Sequence, residues 1–356
     1  MRVFVTGGTG FIGSRVVREL VGRGFKVRCL VRPTSRLQRL GGLDVELVTG
    51  DITDSSGLAA AASGCRACIH LAAVSGWSSH ARSDLKDIIV GGTARLVDAL
   101  RASSVTRLIY VSSSAAIDGT HIPQLLDERS SFSLQGSDLT YAIAKHRAEQ
   151  LASAAARSDF EVVVVNPAET YGPDDDDWIT AGSIRDALTG MPPLAVHGGT
   201  SLAHVDDVAG GIVAALERGR SGERYILGGD NLTIAEIVTL VHEIAGIGKP
   251  VVTVPFWTLR LAVAASRACG FKPPVEPAVL GYLCRYWFMD SSKAQRELGY
   301  RPRSARDTLA PVVRWILSQA RPSTTPAAIN AIAARRKLPF LASKKPGWRD
   351  VALRSR

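Results

Sequence analysis

The run Val5-Thr6-Gly7-Gly8-Thr9-Gly10-Phe11-Ile12-Gly13, "VTGGTGFIG", leaves this chain few choices of fold. It follows a short apolar, β-branched stretch, "RVFVT" at 2–6, and precedes "FIGSRVVRELVGRG", whose apolar residues recur at helical spacing and stop at Gly22 and Gly24. Strand, glycine turn and helix follow one another without a gap. In such a unit the first glycine, Gly7, makes the tight turn, Gly10 lets backbone approach a pyrophosphate, and Gly13 allows close packing of helix on strand. The helix N-terminus then offers N–H donors to an anion. This placement predicts a dinucleotide-binding turn.

The same rhythm repeats downstream. Strands are expected at "KVRCLVR" (26–32), "DVELVTGD" (44–51), "RACIHLAA" (66–73), "RLIYVSS" (107–113) and "EVVVVNP" (161–167). Helices are expected at "SGLAAAASG", over about 84–102, and from Tyr141 to about Arg157. Strands apolar throughout, alternating with helices, indicate a parallel sheet covered on both faces. The fold class is therefore α/β, a doubly wound parallel sheet of Rossmann type with a smaller C-terminal substrate lobe. Residues 1–170 are read as the nucleotide-binding domain, with later strands returning to it around 200–230; 171–318 form mainly the substrate lobe, and 319–356 a basic, flexible tail. In the lobe, "LTIAEIVTLVHEIAG" reads as a helix with a Thr233/Glu236 capping box. "VPFWTLRLAVAASRACGFKPP" reads as an apolar helix ended by Gly270 and Pro273-Pro274.

A net charge of +10 raises the question of nucleic acid, but from Arg321 onward nine Lys/Arg face the single acid Asp350, which leaves residues 1–320 near neutral at +2. No basic face for a duplex is implied, and no nucleic-acid partner is expected. The five cysteines are odd in number and scattered, and "MRVFVTGGTG" carries no leader-like basic and apolar segment. No stretch reaches the roughly 18 apolar residues of a membrane span. A cytoplasmic location is expected. The Cys65/Cys68 C-x-x-C lacks a second pair and reads as a loop-to-strand coincidence rather than a metal or redox site.

Three further elements carry chemistry. The second strand ends in "LVRPTSR", where Arg32 and Arg36 stand and no carboxylate does; two guanidiniums favour a 2′-phosphate, so NADP is expected over NAD, unless both are merely solvated charges. Asp51, in "GDITD", is placed to accept from an adenine amino group or to cap a helix. In "LTYAIAKHRAE", Tyr141 and Lys145 lie one turn apart on the same helix face, and Ser112-Ser113-Ser114 end the neighbouring strand. An ammonium beside a phenol, with a positive nicotinamide ring, would bring the phenol toward a neutral pKa, and a serine hydroxyl could hold a substrate oxygen. That is machinery for hydride transfer between a carbonyl and an alcohol.

With "TGGTGFIG", "GDITD", "HLAA", "YVSSSAAIDG", "YAIAKHRAE", "NPAETYGP", "HVDDVAGG" and "ELGYRPR" in order over residues 1–318, the chain resembles the extended, or atypical, short-chain dehydrogenase/reductase family. The resemblance implies that Tyr141 is the acid/base, that Lys145 lowers its pKa and holds the nicotinamide ribose, and that Ser114, or its neighbour Ser113, holds the substrate oxygen. It implies that Pro167 sits against the carboxamide and that Phe11, Ile12, Ile52, Leu71, Ala72, Ala73 and Ser112 also line the cofactor. One departure is Ile89, where the family commonly has Asn, so a proton relay through that side chain is lost or rerouted.

The arginine that sugar-nucleotide enzymes of the family often carry ahead of "HVDD" is missing from "GTSLAHVDD". An apolar substrate is suggested by Trp77, Phe256, Trp257, Leu259, Leu261, Tyr282, Trp287 and Phe288, each of which could equally be packed core. By wording, the chain is similar to the dihydroflavonol-reductase-like, 3β-hydroxysteroid-dehydrogenase-like and hopanoid-associated epimerase-like branches. The expected function is hydride transfer between NAD(P) and a secondary alcohol or ketone of a lipophilic, steroid-, flavonoid- or terpenoid-like molecule. The alternative is an NAD(P)-dependent sugar or sugar-nucleotide epimerase/dehydratase, and a third reading is a non-catalytic NADP-binding regulator. No metal is expected: His70, His197 and His204 have no close ligand spacing, and "DDDD" at 174–177 reads as a solvated loop over the substrate mouth rather than a cation site. A homodimer is compatible with the sequence. The basic tail and the apolar helix permit peripheral contact with anionic membrane, against a tail that is simply soluble.

Overall fold

The chain's β-branched runs do assemble into a parallel sheet. In the computed structural model, which describes residues 1–74, 82–189, 194–248, 250–271, 273, 275 and 277–319, seven parallel strands form the central layer. They are β1 (Arg2–Thr6), β2 (Lys26–Val31), β3 (Val45–Thr49), β4 (Ala67–His70), β5 (Arg107–Val111), β7 (Glu161–Pro167) and β11 (Arg224–Leu227), in the order β11-β7-β5-β4-β1-β2-β3. The two-residue side-chain alternation of a strand sorts the core. Val3 and Val5 of β1 face α1 (Phe11–Gly22) and α6 (Val205–Arg218), while Phe4 faces α2 (Leu58–Ala62), α3 (Gly92–Arg101) and α4 (Thr140–Ala154). Both faces of the inner strands β1, β4, β5 and β7 are covered, which is why they carry no polar stripe, whereas the edge strand β3 stays largely open to solvent.

The second lobe is built on a mixed sheet of β6 (Leu125–Leu126), β8 (Glu169–Tyr171), β10 (Gly199–His204), β12 (Asn231–Thr233) and β14 (Tyr286–Met289). Only the β10–β12 pair in it is antiparallel. Its core packs α5 (Ala181–Thr189), α7 (Ile234–Ala245) and α11 (Ala305–Gln319) on Tyr171 and Leu202. A two-stranded parallel piece pairs β9 (Leu194–Val196) with β13 (Val252–Val254), and α8 (Phe256–Ala268), α9 (Pro277–Leu283) and α10 (Ser292–Leu298) complete the chain. The expected capping box forms, with the Thr233 hydroxyl accepting from the Glu236 N–H and the Glu236 carboxylate accepting from the Thr233 N–H.

The helix expected over 84–102 is not uniform. Asp87–Gly91 form a π-helical turn before α3 begins, centred on Ile89, the position at which the chain departs from the family pattern. The basic tail falls outside the described residues.

Candidate active site

The glycine turn is as tight as its sequence requires. Gly7 adopts φ +76°, and a Cβ there would lie 2.6 Å from the Ala72 backbone nitrogen. A Cβ on Gly13 would lie 2.1 Å from the Gly7 carbonyl oxygen, so a larger residue at either position must displace backbone. From this turn a cleft of about 930 Å³ runs along the C-terminal edge of the main sheet to the second lobe. Of the catalytic and cofactor-binding residues expected from sequence, Arg36 alone does not line it. The wall at the ends of β2 and β3 contains Arg32, Asp51 and Ile52, and Asp51 uses one oxygen to accept from the Thr53 N–H and hydroxyl, both at 2.9 Å, which makes it the anchor of a turn rather than a helix cap.

Arg36 instead pairs with Asp177. Two neighbours of Asp177, Asp174 and Asp176, are held in the same way. Arg15 of α1 contacts Asp174 at 2.8 Å, Arg39 donates to the Asp174 carbonyl at 2.8 Å and lies 3.3 Å from the Asp176 carboxylate. Asp175 is fully buried and accepts from the N–H groups of Thr180 and Ala181 at the start of α5, both at 2.9 Å. Asp174, Asp176 and Asp177 are exposed, as a solvated loop requires, and are paired with Arg15, Arg39 and Arg36; Asp175 alone is buried.

At the other end, the N-terminus of α4 is tied across the lobes, since the Ala142 N–H donates to the Tyr282 hydroxyl at 3.2 Å. Tyr141 shares a hydrogen bond with the Ser113 side chain, the near alternative to Ser114 in the serine triple. Burial pushes the phenol pKa up and that bond opposes the rise. The expected depression is thus absent in the protein alone, because removing the phenolate from water outweighs the neighbouring dipoles. Lys145 is buried, donates to the Val111 carbonyl at 3.0 Å and lies 5.3 Å from the Tyr110 ring centroid. Burial brings its pKa down to about 8, with Glu149 pulling the other way.

Behind the serines lies a network that sequence reasoning missed. Asn166 donates to the Ser113 carbonyl at 3.1 Å and to Glu149 at 2.7 Å, and Arg224 pairs with the other Glu149 oxygen at 3.0 Å. Glu149 lies one turn beyond Lys145 on α4, and that spacing was the available signal. His70 bridges Thr6 at 2.6 Å and Thr93 at 3.3 Å, and burial holds its pKa at about 3, so the ring stays neutral. His204 caps α6 through the Asp206 N–H, and His197 is exposed. No group of three His, Cys, Asp or Glu among the described residues could hold a metal ion.

A model of the NAD dependent epimerase/dehydratase family matches residues 3–228. The chain belongs to that family. It is an NAD(P)-dependent enzyme of the extended short-chain dehydrogenase/reductase type. Among curated relatives, it is 32% identical over 316 residues to the 4-hydroxy-2-methyl-3-oxo-4-farnesyl-3,4-dihydroquinoline-1-oxide ketoreductase of Stigmatella aurantiaca, covering 85% of this chain and 92% of the relative. It is 30% identical to sterol demethylase protein B of Methylococcus capsulatus, over 88% of this chain and 98% of the relative. Among solved structures, a dTDP-glucose 4,6-dehydratase from Streptomyces venezuelae with NAD bound superposes with a TM-score of 0.71 at 28% identity, covering 88% of this chain and 96% of that one.

The enzyme's own residues fit a dinucleotide. The buried Ser112 hydroxyl, on the cleft wall, has no hydrogen-bond partner among the described residues, and the glycine turn leaves room where side chains would stand. Beyond Pro167 the cleft is walled by Glu169, Thr180, Thr200, Tyr282 and Trp287; the cations that line the cleft as a whole, among the described residues, are Arg32, Lys145 and Arg82, which pairs with Asp84 at 2.8 Å. Tyr282 and Trp287 stack with centroids 5.6 Å apart. Of the other aromatic and aliphatic residues expected at the substrate, Phe256, Trp257, Leu259 and Leu261 belong to α8 and do not line the cleft, and Phe288 packs edge-on against Tyr286. Trp77 lies outside the described residues. Glu169, not anticipated, accepts hydrogen bonds from Tyr171 and Thr200, and burial holds its pKa above the usual carboxylate range.

Proposed function

We propose that the enzyme reduces the ketone of a lipophilic substrate, or oxidises the corresponding secondary alcohol, with NADP as its preferred cofactor. The observation that carries this reading is the cleft's substrate end, where stacked Tyr282 and Trp287 adjoin Tyr141, Lys145 and the serine triple, while the cleft's arginines are Arg32, at the end of β2, and Arg82, already paired with Asp84. A sugar diphosphate would need cationic partners there. The farnesyl-bearing substrate in the name of one relative supports the same direction. Preference for NADP is supported by Arg32 on the cleft wall, with no carboxylate at the end of β2.

When bound, the nicotinamide ring supplies or receives the hydride. Tyr141 delivers a proton to the carbonyl oxygen, and the raised pKa keeps its phenol protonated for that task. A serine hydroxyl, from Ser113 or Ser114, orients the same oxygen. The Lys145 ammonium supports charge developing on Tyr141 and would hold the nicotinamide ribose of a bound cofactor. Asn166 and Glu149 hold the strand end from behind.

Purified enzyme with NADPH and a panel of lipophilic ketones tests the proposal. Net cofactor oxidation is expected, and a cofactor that stays bound and redox-silent while sugars epimerise rejects it in favour of the epimerase/dehydratase reading. Tyr141→Phe is expected to lose at least about a hundredfold in turnover while NADPH still binds by fluorescence titration; unchanged turnover rejects the assignment of Tyr141.

A further inference from the structure

The outer face of α8 is apolar where a solvent-facing helix is ordinarily polar. Residues 257, 261, 264, 265 and 268 recur at i, i+4, i+7, i+8 and i+11 and so share one side of the helix. They are Trp257, Leu261, Ala264, Ala265 and Ala268, and all are exposed. Trp257 and Leu261 are 65% and 62% exposed, and Phe271, just past the helix, is 72% exposed. Val263, on the opposite side, is the buried residue of the helix. Arg260 and Arg267 are exposed along one flank. From residue 244 to 275 the sequence holds four basic residues, Lys249, Arg260, Arg267 and Lys272, and no acid.

We propose that this face docks the enzyme on an anionic lipid bilayer, with Trp257, Leu261 and Phe271 entering the headgroup–acyl boundary and Arg260 and Arg267 meeting lipid phosphates. An amphipathic helix with Trp and Leu on one face and arginines beside it is the chemistry such an interface takes. Charge favours the bilayer over the chain's own basic segment. The chain's own C-terminal segment carries nine basic residues against one acid, so it would meet like charge at Arg260 and Arg267, and both surfaces complement the same anionic plane. A second copy that set this flank on itself would oppose the same arginines, and the sedimentation coefficient of the free protein reports any other pairing.

The test is co-sedimentation of the full chain with vesicles of about three parts phosphatidylcholine to one part phosphatidylglycerol, and with phosphatidylcholine alone. Wild type is expected to pellet with the anionic vesicles and to be released by high salt. Trp257→Ser/Leu261→Ser and, separately, Arg260→Ser/Arg267→Ser should each lower the partition coefficient about tenfold, with circular dichroism and NADPH binding unchanged. If the apolar pair fails to fold, the arginine pair alters exposed positions only and carries the test. Two results overturn the proposal: variants that pellet like wild type, which would assign binding to the basic segment alone, or variants that change the sedimentation coefficient of the free protein and not its vesicle binding, which would make the face a subunit contact. Partitioning needs no turnover, so failure here leaves the oxidoreductase reading standing.

Discussion

At the scale of single residues, two ionisable groups decide how the site responds to its surroundings. Lys145 has its pKa brought down to about 8 by burial. Its ammonium is therefore present below that pH and is lost as pH rises through it. Ketone reduction, which needs both the charged Lys145 and a protonated Tyr141, should hold level below about pH 8 and fall above it, and Lys145→Met should abolish that limb along with most of the rate. A kcat/KM profile over pH checks this; a limb that persists in the variant belongs to another group. Arg36 is the second case. Its guanidinium is occupied by Asp177, although its position in "LVRPTSR" marked it for a 2′-phosphate. Asp177→Asn should free it and raise kcat/KM for NADPH relative to NADH by up to about fivefold, the scale of an exposed ion pair. An unchanged ratio means Arg32 recognises the phosphate unaided. Nothing in the local sequence of Arg36 could reveal its partner, which sits about 140 residues away and reaches it only through the folded loop.

Elements were more legible than contacts. The turn "TGGTGFIG" was readable because its glycines answer a steric demand that no other residue meets: the Gly13 position is closed by the Gly7 carbonyl. Gly13→Ala should therefore cost about 1–3 kcal/mol or more and abolish dinucleotide binding, as measured by denaturant unfolding and calorimetric titration. Wild-type affinity in that variant would show that the turn relaxes at no cost. The Thr233/Glu236 box and the strands of the main sheet were readable for a similar reason, since local periodicity and capping need no distant partner. The helix over 84–102 was legible as a helix but not as one interrupted by a π turn, because periodicity cannot register one extra residue per turn. The aromatic residues of the lobe were the weakest reading. Hydrophobicity alone could not separate Tyr282 and Trp287, which wall the cleft, from α8, which faces outward. Glu169 was missed because a lone carboxylate next to "NPA" has no spacing to distinguish it.

For the whole molecule, the cleft spans both lobes, so a ligand that fills its nucleotide half should stabilise the fold through mass action. NADPH at about a hundred times its Kd should add about 2.7 kcal/mol and raise the melting temperature by a few degrees, with a smaller shift from NADH at the same concentration. Scanning calorimetry checks this, and no shift with either nucleotide would reject dinucleotide binding altogether. The order of the main sheet has a different consequence, for anyone wishing to exchange substrate lobes between relatives. β11, contributed by residues 224–227, pairs in parallel with β7 and forms the sheet's outer edge, and α6 just before it covers one face. The chain leaves the nucleotide half after β7 and comes back to finish it. A fragment ending near residue 170 would bare the backbone of β7 and the apolar residues beneath α6, inviting edge-to-edge association. Chimaeras should graft the segments between β7 and α6 and those following β11 as two separate insertions, leaving α6 and β11 with the host.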